Sequence, residues 1–117
     1  MGPIWDFDLS LIGDSEGWWV KDSPWFQRLF QDPAFIDQVK ARFTYFKDNQ
    51  NFILEKIDAY AKELQWAQQE NNKRWQTIGV YVFPNSVFFD TYQEEVDNLK
   101  SWYINRMGWL ENAFDEL

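Results

Sequence analysis

Residues 91–114 read TYQEEVDNLKSWYINRMGWLENAF, and this segment decides the fold class. Its first four residues, Thr91 to Glu94, match a capping box, in which the two end side chains each satisfy a free amide of the first helical turn. Apolar and aromatic residues then recur at the helical spacing of three or four positions. They are Tyr92, Val96, Leu99, Tyr103, Leu110, Ala113 and Phe114. The pattern predicts one long amphipathic helix.

Two further helices are predicted from their start signals. Ser23-Pro24 and Asp32-Pro33 each place an N-cap residue directly before a proline at the first helical position. The first signal predicts a short helix that ends at about Gln31. The second predicts a helix that ends at about Lys47, with apolar side chains at the helical period.

A polar break at residues 48–51 is followed by a further helix, predicted from about Asn51 to Trp75. Its apolar positions form one stripe, and most of its charged positions lie off that stripe. Residues 76–89 interrupt the helical pattern with a glycine, a proline and an apolar run, which indicates an ordered loop or a brief extended stretch.

The sequence therefore predicts an all-α fold of roughly four helices, mainly antiparallel. Residues 1–23 form an irregular N-terminal arm in this interpretation, and residues 24–117 form a single helical domain. The breaks near residues 48–51 and 76–90 are short enough to return each long helix alongside its predecessor. The side chains expected to be buried are Phe43, Ile57, Leu64, Leu99 and Leu110.

The composition of the 117 residues excludes several classes of protein. The formal net charge of -8 repels phosphate backbones and anionic headgroups, so neither nucleic acid nor a membrane surface is an expected partner. Aromatic residues make up 21% of the chain, which excludes intrinsic disorder. No segment reaches the roughly 20 apolar residues of a membrane span. Because the chain contains neither Cys nor His, chemistry would fall to carboxylates, Lys, Tyr and Ser.

The segment Trp5-Asp6-Phe7-Asp8 is the strongest candidate for chemistry. Asp6 and Asp8 lie two residues apart on a non-helical segment, and carboxylate oxygens suit a hard divalent cation such as Mg²⁺. The alternative interpretation is an acidic turn whose aromatic residues anchor it to the core. Spacing alone leaves both interpretations open.

Two other groups of aromatic residues have structural and functional interpretations. Arg106 lies between Trp102 and Trp109 in the last helix, where we expect a guanidinium packed against indoles and paired with a carboxylate from another helix. Anion binding is the alternative for Arg106. A sugar-stacking platform is the functional alternative to core packing for Trp18, Trp19, Trp25 and Trp66.

Several phrases of the sequence occur together in one known family. Residues 2–9 read GPIWDFDL, which resembles the closing motif of the kinase-like region in the spore-coat protein H (CotH) kinase family. The other phrases are PWFQRLF at 24–30, DPAF at 32–35, VKARF at 39–43, and the set Val96, Leu99, Lys100, Trp102, Arg106, Trp109 and Leu110. The resemblance extends from Gly2 to Phe114.

The resemblance implies a function for the parent protein. Members of the family are atypical protein kinases, so Asp6 would be a metal ligand, Asp8 a second one, and Trp5 a support for the nucleotide pocket. Mg²⁺ and ATP are implied for the parent, and no cofactor is expected for the chain by itself. The chain would be the C-terminal helical portion, inactive alone, and extracytoplasmic or surface-associated in a bacterium.

The expected partner is an N-terminal kinase lobe or a second copy of the chain, which would make a homodimer. The alternative is a non-enzymatic helical module that presents aromatic side chains to a protein or a glycan.

Overall fold

The computed structural model describes residue 11 and residues 13–117, and within them the regular structure is helical. The helices are α1 (Pro24–Leu29), α2 (Pro33–Asp48), α3 (Gln50–Glu63), α4 (Gln65–Trp75) and α5 (Tyr92–Asp115). The described residues contain no strand, so the predicted all-α fold is confirmed. None of the helices in this part of the chain combines the length and the apolar character that a membrane span requires.

The predicted start signals of the two longest helices are present as hydrogen bonds. Thr91 and Glu94 form both halves of the capping box at the start of α5. The Asp32 side chain accepts a hydrogen bond of 2.9 Å from the amide of Ala34 at the start of α2. Ser23 precedes α1 with extended backbone, but its side chain makes no capping hydrogen bond.

The helix predicted from Asn51 to Trp75 is divided at Leu64, which ends α3 immediately before α4 begins. Leu64 was expected to be buried, and this expectation is wrong because its side chain is 51% exposed. The physical reason lies in α4, whose sequence QWAQQENNKRW is mostly polar and has no single apolar face. The α3 stripe therefore has no continuation that could cover Leu64.

α2 and α3 follow one another along α5 as a bent pair of helices, and both run antiparallel to α5. Contacts to α5 advance steadily along the two helices while they move backward along α5. In order, they join Phe43 to Phe114, Lys47 to Glu111, Asp58 to Lys100, and the Ala61 carbonyl to the Tyr92 hydroxyl. The direction of the chain is therefore kept through the α2–α3 junction.

The expected reversal near residues 48–51 is wrong, whereas the chain does reverse between α3 and α5, as the Asp58–Lys100 and Ala61–Tyr92 contacts show. Asn49 alone separates α2 from α3, and two antiparallel helices require a connection of about 2–5 residues. The junction at Asn49 bends the path of the chain without returning it.

α5 carries two side-chain stripes that are offset by one residue, which is about 100° around a helix. The first stripe, Trp102–Arg106–Trp109, faces the irregular arm. The second stripe, Tyr103–Met107–Leu110, faces α2 and α3. The buried side chains among the described residues are Val96, Met107 and Ala113, all on α5. This helix is buried because it is covered from two sides.

The rest of the described chain is only lightly packed. Phe43, Ile57, Leu99 and Leu110 were expected to be buried, but each remains partly exposed. The radius of gyration is 17.1 Å, whereas a compact domain of this length has a radius of about 13 Å. The chain is elongated, with extents of 52 × 28 × 27 Å, because α2 and α3 follow one another along α5 without folding back on each other.

Truncation of the core should be costly only where α5 is covered. Met107 is 6% exposed, so we expect Met107→Ala to lower the free energy of unfolding by about 2–5 kcal/mol. Leu64→Ala, at a half-exposed position, should lower it by less than about 1 kcal/mol. Urea denaturation at one fixed protein concentration measures both values. Equal losses for the two variants would contradict the burial described above.

Candidate functional site

The residues of the acidic motif, Trp5, Asp6 and Asp8, lie outside the described residues. The structure describes the segment that follows them, from Gly13 to Ser23, which has no regular secondary structure. We refer to residues 13–23 as the arm. The candidate site is the attachment of this arm to α5.

Side chains of the first α5 stripe bind the arm through its backbone. The indole Nε1 of Trp102 donates a hydrogen bond of 2.7 Å to the Gly13 carbonyl. Nη1 of Arg106 donates to the carbonyls of Ser15 and Gly17, at 3.1 and 2.7 Å. Because the acceptors are carbonyls of alternate residues, the contacts fix the path of the arm without depending on its side chains.

The guanidinium of Arg106 has partners that differ from the expected ones. It lies over the indole of Trp109, 5.0 Å from the ring centroid, as the sequence indicated. We expected a carboxylate from another helix to pair with Arg106. Among the described residues, two arm carbonyls accept from Arg106 instead. Burial lowers the pKa of Arg106, but the ordinary value is so high that the side chain stays charged at neutral pH. Hydrogen bonds from a charged donor are worth about 1.5–3 kcal/mol each.

The backbone of the arm at Gly17 has a conformation that favours glycine. Its φ of 94° lies in the region that side chains with a Cβ rarely adopt. This conformation allows the Gly17 carbonyl to accept from Arg106 directly before Trp18 turns into the aromatic cluster.

Trp18 joins the arm to the helices through ring contacts. Its ring centroid lies 5.3 Å from that of Trp109, 5.0 Å from that of Phe114 and 6.1 Å from that of Phe30. Phe114 in turn contacts Phe43 of α2 at 4.7 Å. Tilted and edge-to-face pairs at these separations each add about 0.5–1.5 kcal/mol beyond the burial of their area. Trp18 therefore ties the arm to α5 and, through Phe114, to α2.

The Trp residues considered as a sugar platform stand on different elements. Trp18 belongs to the aromatic cluster, whereas Trp25 of α1 and Trp66 of α4 are exposed. Trp19 is also exposed, and its indole donates to the Glu16 carbonyl within the arm. Core packing is the role that the structure gives to Trp18.

A polar cavity of 370 Å³ opens where the arm, residues 85–87 and the first half of α5 meet. Asp14, Asn85 and Glu95 supply oxygen atoms to its lining. One Glu95 carboxylate oxygen already accepts a hydrogen bond of 2.9 Å from the Phe89 amide. Within the described residues, no three acidic side chains converge in a way that could hold a metal ion.

A second cavity, of 510 Å³, lies on the other stripe of α5. Phe43, Phe46, Ile53 and Met107 are among its lining residues, and its surface is apolar. Tyr103 also lines this groove, and burial raises the pKa of its hydroxyl. Sequence reasoning identified the arm-facing residues Trp102, Arg106 and Trp109 but missed the groove. The signal was present in the one-residue offset between the two α5 stripes.

Loss of the Arg106 guanidinium should release the arm. We expect Arg106→Met to increase trypsin cleavage after Lys21 by about tenfold or more, because two charge-assisted hydrogen bonds to the arm are lost. Arg74→Met is the matched control, since Arg74 is exposed on α4 and lies over Trp75. Mass spectrometry of timed digests measures the cleavage rate. An unchanged rate in Arg106→Met would show that these bonds do not hold the arm.

Comparisons with known proteins bear on the whole of this arrangement. Searches of curated proteins and of solved structures each give no significant match. The family described as CotH kinase protein matches residues 1–110, which include the acidic motif, the arm and most of α5. The chain therefore belongs to the CotH kinase family.

Proposed function

We propose that the chain is the C-terminal helical portion of a CotH-like atypical protein kinase, and that its helices buttress a metal-binding Asp-Phe-Asp segment. The observation that carries this proposal is the attachment of the arm to α5. The Gly13 carbonyl, which Trp102 binds, lies only five residues after Asp8 in the sequence. Fixing the backbone at residues 13–18 limits where the preceding motif can lie.

Trp102, Arg106 and Trp109 would act as positioning residues in this proposal. Trp102 binds one arm carbonyl, Arg106 binds two, and Trp109 contacts the Trp18 ring. The three residues belong to the α5 phrase that resembles the family, and the motif residues Asp6 and Asp8 belong to another such phrase, at residues 2–9. A role in holding the motif explains why both phrases belong to one family match.

Mg²⁺ and ATP belong to the proposal for the parent protein. As the family resemblance implies, Asp6 would hold the metal with Asp8 as a second ligand, and Trp5 would lie beside the nucleotide. Bound Mg²⁺ would supply positive charge that offsets the phosphate oxygens. Because the resemblance assigns the other nucleotide-contacting groups to the kinase lobe of the parent, we propose that the chain has no kinase activity by itself.

The proposed partner on the arm side is the N-terminal kinase lobe of the parent. The α4–α5 loop supports this assignment, since Phe83 is 82% and Tyr81 60% exposed. Residues 85–87 of the same loop border the polar cavity beside the arm. A folded lobe above the motif would cover both the loop and the cavity, and apolar patches of this kind rarely stay uncovered.

The non-enzymatic binding module is the weaker alternative. It accounts for exposed aromatics such as Trp25 and Trp66, but it gives no reason for the family match across the acidic motif and the helices together. An extracytoplasmic or surface location in a bacterium is part of the proposal and rests on the family alone.

In the parent protein, Asp6→Asn should abolish Mg²⁺-dependent phosphoryl transfer and leave the far-UV circular dichroism unchanged. An amide oxygen is a weaker metal ligand than a carboxylate, so the charge that offsets the phosphates would be lost. Asp8→Asn should reduce transfer less if Asp8 is the second ligand. Asp22→Asn, at an exposed arm position, is the control that should keep full activity. Full activity in Asp6→Asn would refute the metal assignment.

The 117-residue chain alone should not bind ATP with Mg²⁺. The groups that cradle the phosphates are assigned to the kinase lobe of the parent, so Asp6 and Asp8 would act without them. Isothermal titration calorimetry with ATP and MgCl₂ measures this directly. Binding in the micromolar range would contradict the proposed division between the lobe and the helices.

A further inference from the structure

The second stripe of α5 borders an apolar groove that the described part of the chain leaves open. Met107 lies at its floor, and Phe43, Phe46 and Ile53 form the side provided by α2 and α3. Phe46 is 49% exposed and Ile53 38% exposed, although both residues line the groove. The groove lies at the α2–α3 junction, on the face of α5 next to the one that binds the arm.

The accessible surface of the chain is too large for a compact monomer. It measures 9447 Å². A compact monomer of this mass exposes about 6,800 Å², so the chain exposes roughly 2,600 Å² more. A standard protein–protein interface removes about 800 Å² from each partner, and obligate homodimers remove more. The excess is therefore sufficient for an obligate interface and leaves further area for the arm side.

We propose that a second copy of this chain seats on the groove, so that the protein forms a two-fold symmetric homodimer through α2, α3 and α5. A two-fold interface requires one patch that is complementary to itself. This patch has both a depression and a projecting side chain, because Tyr45, which contacts the lining residues Arg42 and Phe46, is 55% exposed. Its volume of 510 Å³ exceeds three times the roughly 150 Å³ cavity that accepts one benzene ring.

The distribution of charge favours this face for self-association. Two copies that each carry a net charge of -8 repel one another wherever acidic surfaces meet. The groove lining contains Arg42 as its charged residue and no carboxylate. Lys47 at the end of α2 pairs with Glu111 of α5, so the nearby charges compensate one another within one copy. Contact here therefore brings little like charge together.

This homodimer is independent of the proposed kinase function. It uses the stripe of Tyr103, Met107 and Leu110, whereas the proposed kinase lobe covers the arm and the α4–α5 loop. The two partners would occupy different sides of α5.

Light scattering coupled to size-exclusion chromatography tests the proposal with the chain as it stands. We expect a species of twice 14.2 kDa at micromolar concentration. Phe46→Glu should weaken the dimer by roughly a hundredfold or more, because two-fold symmetry places both substituted residues in one interface. Trp25→Glu is the matched control, since Trp25 is 84% exposed on α1 outside the groove, and it should remain dimeric. Circular dichroism verifies that each variant is folded.

Spin labels provide a measurement that needs no change in the groove. Because the chain has no Cys, Asp48→Cys at the α2–α3 junction and Lys73→Cys on α4 each give one defined label site. Double electron–electron resonance should give a shorter distance between copies for the junction label than for the α4 label.

A monomeric chain would overturn the proposal. This holds if the groove is empty, and it also holds if native mass spectrometry finds an apolar molecule bound to the monomer. A dimer that Phe46→Glu leaves intact, or one with the shorter label distance at α4, would also overturn it.

Discussion

The structure depends on the coverage of α5 from two sides. Its two stripes are one residue out of phase, so one faces the arm and the other faces α2 and α3. The buried side chains among the described residues, Val96, Met107 and Ala113, all belong to this helix. The other four helices contain no buried residue, and many of their large apolar side chains remain exposed. Apolar burial, which drives folding, is therefore concentrated along a single element.

The side chains of the first stripe hold the irregular arm in a defined position against α5. Trp102 and Arg106 donate to backbone carbonyls, and Trp109 contacts Trp18 edge-to-face. An arm without regular secondary structure has carbonyls that need donors, and α5 provides them. The acidic motif immediately precedes this arm in the sequence. In the proposed kinase, the rigidity of α5 would reach the motif through about five residues of backbone.

The surface of the chain divides according to the same two stripes. The arm side has a polar cavity and a loop with exposed aromatic residues, and in the proposed kinase the N-terminal lobe would cover both. The groove side is apolar and has no carboxylate in its lining, which suits a copy of the same acidic chain. The described residues leave both the polar cavity and the apolar groove open.

The sequence by itself determined the all-α class, the start of α5 at Thr91, the start of α2 at Asp32 and the family. Capping boxes, N-cap prolines and the helical period are local signals, so they can be identified without knowing which faces meet. Only the tertiary structure decided that Asn49 bends the chain without reversing it, that Leu64 is exposed, and that Arg106 binds carbonyls of the arm. Those outcomes depend on which elements meet in space, and local sequence signals do not specify this. A one-residue offset between two stripes turns a side chain by about 100°, and periodicity alone does not say what lies there.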